Sequence, residues 1–72
     1  MTSRTIKFSM ELANVRHGGL VAAQAAAREQ AADHLQPGEW LDRLLEIHGS
    51  ALSPPNDHIM RWDIEYLANS DT

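Results

Sequence analysis

Any chemistry in this chain would have to come from its histidines, its serines or its glycine pair, and their spacing decides whether they can act together. His17, His34, His48 and His58 lie far apart. No two stand at the i,i+4 spacing that puts two ligands on one helical face, and none sits in a carboxylate-bearing ligand motif, so no metal site is expected. Histidines at helix ends or in solvent are the plainer reading. Ser9, Ser50 and Ser53 stand in no nucleophile context, which argues against acyl transfer. Gly18-Gly19 lacks the rest of either glycine-rich phosphate-binding signature. Trp40, Trp62 and Tyr66 have rings able to stack on bases, but among so many apolar neighbours they read as core or interface residues. The sequence therefore predicts no enzyme, no metal and no cofactor, and function has to be sought in binding.

Length and composition narrow that further. A chain of 72 residues buries only about 60% of its unfolded surface on folding, and a second copy or a larger partner would supply the missing core. There is no cysteine to staple it, which fits a cytosolic setting. No apolar run approaches the roughly 20 residues of a membrane span, and no signal-peptide-like apolar segment follows the N-terminus. A soluble, cytoplasmic chain without membrane contact is expected. The net charge of −4, from six Lys and Arg against ten Asp and Glu, excludes a surface that grips nucleic acid all round. Arg4, Lys7 and Arg16 nevertheless make the N-terminal segment basic apart from Glu11, so local DNA contact stays compatible with an acidic body.

The elements that would carry these residues begin with Thr5-Ile6-Lys7-Phe8-Ser9-Met10, which alternates in period two. Ile6, Phe8 and Met10 line one face of a strand and Thr5, Lys7 and Ser9 the other. No second strand is evident, so its backbone groups would need a mate from a second copy or another protein. Ala13–Gly19 reads as a connection, with Asn14 able to cap or turn and Gly18-Gly19 as a break. Leu20–His34, rich in alanine, reads as a helix. The densest apolar cluster, Gln36–Gly49, reads as a second helix, with Pro37 in its first turn, Trp40, Leu41, Leu44, Leu45 and Ile47 at helical spacing, and Gly49 as C′. Ser53-Pro54-Pro55-Asn56 marks a corner, and His58–Ala68 reads as a short third helix before a polar tail. The expected class is mainly α with one N-terminal β-strand paired across a homodimer. Residues 1–53 form a strand-helix-helix dimerisation domain, and residues 54–72 a C-terminal helix and tail.

One strand that needs a twin, followed by two helices, resembles the ribbon-helix-helix family of DNA-binding proteins over residues 4–49. The resemblance implies that paired N-terminal strands enter the major groove, with Arg4, Thr5, Lys7 and Ser9 as the DNA-binding residues and Ile6, Phe8 and Met10 in the dimer core. Gly38–Leu45 looks like the start of that family's second helix. A transcriptional regulator or antitoxin is then implied, with Ile59, Trp62, Tyr66 and Leu67 of the C-terminal helix binding a toxin or target enzyme. The alternative is a small acidic protein-binding module, such as a phage-type inhibitor or regulatory subunit, with no DNA binding. Its strand would add to the edge of a partner's sheet.

Overall fold

Alternation in the N-terminal segment does produce a strand, and the strand has its mate inside the chain. A computed structural model describes residues 1–13 and 19–71. It runs β1 (Thr2–Ala13), α1 (Gly19–Ala32), β2 (Glu39–Ala51) and β3 (Ile59–Ser70). The strands form one antiparallel sheet in the order β1-β3-β2. The mainly-α class expected above is thus wrong: the chain is mainly β, with one helix. β1 pairs with β3 through Ile6–Tyr66, Phe8–Ile64 and Met10–Trp62. A second copy is therefore not needed to satisfy the side of β1 that faces β3. The connection expected at Asn14 and Gly18, and the cation of Arg16 and the ring of His17, lie outside the described residues.

β2 occupies the stretch expected to be the central helix, and a pair of irregularities explains why its pattern looked helical. The pairing of β2 with β3 slips between Leu41 and Arg43 and again between Leu44 and Glu46. Asp42 and Leu45 are the extra residues of two β-bulges. Each bulge adds one residue, so the inward positions opposite Ala68, Tyr66 and Ile64 are Leu41, Leu44 and Ile47, spaced by three rather than two. A strand bulged twice in succession mimics the period of a helix face. Pro37 and Gly38 do not start a helix either. They are the corners of a turn closed by Glu39 N–H donating to the Gln36 carbonyl at 3.0 Å. Gly38 has φ +85°, the value a type II turn demands after proline. Gly49 is likewise no helix cap. It sits in β2 opposite Trp62, whose ring lies where a Cβ would be, 2.8 Å from the ideal position.

The C-terminal helix expected over His58–Ala68 is β3, the middle strand. Met60, Trp62, Ile64, Tyr66 and Ala68 alternate with Arg61, Asp63, Glu65 and Leu67, and the even set faces the helix. Its hairpin with β2 turns through Ser53–His58, where the Pro54-Pro55 bond is cis and Asn56 N–H donates to the Ser53 carbonyl at 2.9 Å. The corner expected at the prolines is present, though it joins two strands rather than two helices.

α1 packs on the even face through Ala23, Ala27 and Ala31, all fully buried. Their i,i+4 spacing makes one stripe, and methyl-sized side chains let the helix lie close to the sheet. Ile6, Met10, Ile64, Tyr66 and Ala68 complete the core. At 14 residues the helix is about 21 Å long, whereas the strands extend about 40 Å in a molecule measuring 46 × 20 × 17 Å. The helix is therefore about half as long as the strands it packs on.

Candidate functional site

The face of the sheet away from α1 is built from the odd residues of β1 and β3 and the outward residues of β2. Cross-strand rows run Thr5–Leu67–Arg43, Lys7–Glu65–Glu46, Ser9–Asp63–His48 and Glu11–Arg61–Ser50. Lys7, Ser9, Glu46, His48, Asp63 and Glu65 surround a shallow depression of about 420 Å³. Within it Lys7 Nζ lies 3.1 Å from Glu65, and Ser9 Oγ donates to Asp63 at 2.7 Å. Arg61 reaches both Asp63, at 3.5 Å, and Ser9 Oγ, at 3.4 Å. His48 Nε2 stands 3.2 Å from Glu46.

These contacts lower carboxylate pKa values. The Ser9 hydroxyl, with Arg61 and His48 nearby, holds Asp63 below the ordinary carboxylate range. The Lys7 ammonium does the same to Glu65. A general acid at neutral pH needs its pKa raised by burial or a like charge, and neither carboxyl is shifted that way. The face can offer salt-bridging and hydrogen-bonding groups to a partner. Among the described residues no group of three histidines, cysteines or carboxylates is placed to hold a metal ion, and no helix is long and apolar enough to cross a membrane.

At the other end of the sheet, Arg4 of β1 reaches across Ala68 to Glu39 of β2. Its Nε and Nη2 donate to the two Glu39 oxygens at 3.0 and 2.7 Å, a bidentate geometry. Nη2 also donates to the His34 carbonyl at 3.0 Å, just beyond the C-terminus of α1, where a cation is favourable. Gln36 N–H adds a bond to Glu39 at 2.7 Å. One arginine thus ties both edge strands to the end of the helix. Its hydrogen bonds, and that of Gln36, hold Glu39 down at about 2, from an ordinary 4.5. The depressed value means that this carboxylate favours the folded state above its unfolded pKa, and that the benefit fades as pH falls from about 4.5 towards 2. The melting temperature should decline through that window in the wild type. Glu39→Gln should melt lower at pH 7 and show a flatter acid limb, the residual slope coming from Asp63 and Glu65. Thermal melts followed by circular dichroism from pH 7 to pH 2 test this, and equal acid slopes in both proteins would refute it.

The residues singled out from the sequence are distributed unevenly. Thr5, Lys7 and Ser9 do share one exposed face, opposite the buried Ile6 and Met10. Arg4 is not with them, since it is engaged at the Glu39 clamp. Ile59, Trp62, Tyr66 and Leu67 do not form one stripe. Tyr66 is buried in the core, where its hydroxyl accepts from Arg28 at 3.3 Å. Trp62 covers Gly49 on the same side, and Ile59 and Leu67 belong to the opposite parity of β3. Sequence reasoning missed Glu46, His48, Asp63 and Glu65. The polar residues Arg61, Asp63 and Glu65, alternating with apolar ones, were the available signal. Trp40, 41% exposed, stands at the rim of a second hollow of about 450 Å³ shared with Arg28, Leu35 and Glu39. Comparison with protein-family models, with curated proteins and with solved structures finds no match.

Proposed function

We propose that the chain is a small, non-enzymatic protein-binding module that works in the cytoplasm as a homo-oligomer. The observation that carries this is the poverty of its core beside the openness of its sheet. Among the described residues only one large side chain, Ile64, is fully buried, while β1 and β2 each present a free edge. Free edges pair with other strands, and a second chain adds the burial that a small domain lacks. Protein is favoured over DNA as the partner because three of the cations stand beside carboxylates on a molecule of net negative charge. Lys7 pairs with Glu65, Arg61 with Asp63 and Arg4 with Glu39, so a phosphate would compete with carboxylates on an acidic molecule. A ribbon reader also needs two helices behind its strand; α1 stands in the first of those positions, but β2 occupies the second.

Sedimentation equilibrium at micromolar concentration should return a multiple of the 8.0 kDa chain mass. A monomer that melts cooperatively at every concentration would overturn the assembly. Salt-dependent binding to duplex DNA at low ionic strength, lost in Lys7→Ala, would overturn the preference for protein.

A further inference from the structure

We propose that β1 is the assembly edge, and that a second copy of the chain pairs with it antiparallel about a twofold axis at Ser9. This rests on the homo-oligomer reading above and goes further, to the strand, the register and the contacts.

The two edges differ in how well they can accept a strand. β2 carries two bulges, which break the row of backbone donors and acceptors and turn the edge away, a common protection against pairing. β1 pairs with β3 over Thr2–Ala13 without a register shift, and it contains neither proline nor glycine. Its only guards are the charges Lys7 and Glu11 on the open face and Arg4 at one end.

Those charges select the register. An antiparallel pair centred on Lys7 sets lysine against lysine, and one centred on Glu11 sets glutamate against glutamate, both unfavourable. Centring on Phe8 puts Arg4 opposite the apolar Leu12 of the second copy. Centring on Ser9 places Lys7 opposite Glu11 of the second copy, twice by symmetry. It also places Ile6 opposite Leu12 and Phe8 opposite Met10, so every pair on the helix-bearing face is apolar. Lys7 is largely exposed, at 72% of its side chain, and can serve Glu65 and a second carboxylate together. The half-buried Phe8 and Leu12 gain apolar neighbours. The axis stands normal to the sheet, so the product is a six-stranded sheet with both helices on one face.

Because the chain has no cysteine, one introduced thiol reports the axis directly. Two Ser9 residues facing each other have Cα atoms about 4.5–5.5 Å apart, inside the disulfide range of about 4.4–6.8 Å. Ser9→Cys should give a covalent dimer under mild oxidation on a non-reducing gel. Thr5→Cys should not, since the two positions are eight residues out of step and about 26 Å apart. Lys7→Glu and Glu11→Lys should each weaken association about tenfold, through two like-charge pairs per dimer, and the combined variant should recover it. Within one chain the swapped charges still face Glu65 and Arg61 of β3, so recovery can only come from across the axis. An oligomer in which Ser9→Cys stays uncross-linked, or in which Thr5→Cys cross-links as readily, overturns the β1 edge while leaving oligomerisation standing. A monomeric wild type would overturn both.

Discussion

Ile64→Ala is expected to leave most of the protein unfolded at 25 °C. Ile64 is 1% exposed and lies in the middle strand, flanked by Phe8 of β1 and Ile47 of β2. No relaxation of one edge can fill the space its removal leaves. Truncation of a buried isoleucine to alanine costs about 2–5 kcal/mol, and the single core of a domain this small supplies roughly 3–5 kcal/mol in all. The loss therefore matches the whole margin. Ile64→Val, which removes one methylene, should cost about 0.5–1.5 kcal/mol and remain folded with an earlier urea midpoint. Both belong at one protein concentration, because assembly adds to apparent stability. An Ile64→Ala variant with the wild-type midpoint would show that the core does not hold the fold.

How far the fold can be read from the sequence depends on whether each element keeps its ideal period. β1 does, and its two faces follow directly from Ile6, Phe8 and Met10 against Thr5, Lys7 and Ser9. α1 is readable from alanine propensity, since Ala22–Ala32 has little else to do. β2 is not readable this way. Its bulges at Asp42 and Leu45 set Leu41, Leu44 and Ile47 three apart, and Pro37 and Gly49 sit where a helix start and stop would be. β3 is hard to read for a different reason. Its even residues alternate cleanly with Arg61, Asp63 and Glu65, but apolar Ile59 and Leu67 on the other face complete a helical stripe. Once β2 and β3 are taken for helices, β1 loses its partner, and its mate has to come from a second copy or from another protein. The same error hides the candidate site. Thr5, Lys7 and Ser9 are visible as a face, but Glu46, His48, Asp63 and Glu65, which pair with that face or border it, become its neighbours only when all three strands are placed.

Ala27→Leu is expected to lift α1 from the sheet and cost about 1–3 kcal/mol, the usual penalty for overpacking a filled site. Ala27 is the middle member of the stripe Ala23, Ala27 and Ala31, each with no exposed surface. Added carbons there must displace either the helix or side chains of the core cluster that Ala27 belongs to. Helix propensity does not explain such a loss, because leucine is nearly as good a helix former as alanine. Ala25→Leu is the control: Ala25 is exposed on the same helix, and a surface substitution should stay within about 0.5 kcal/mol. The two variants share composition, charge and helix position to within two residues, so any difference in urea midpoint reports packing alone. If both melt like the wild type, the alanine stripe is not a close contact, and α1 lies farther from the sheet than the burial of these three methyl groups requires.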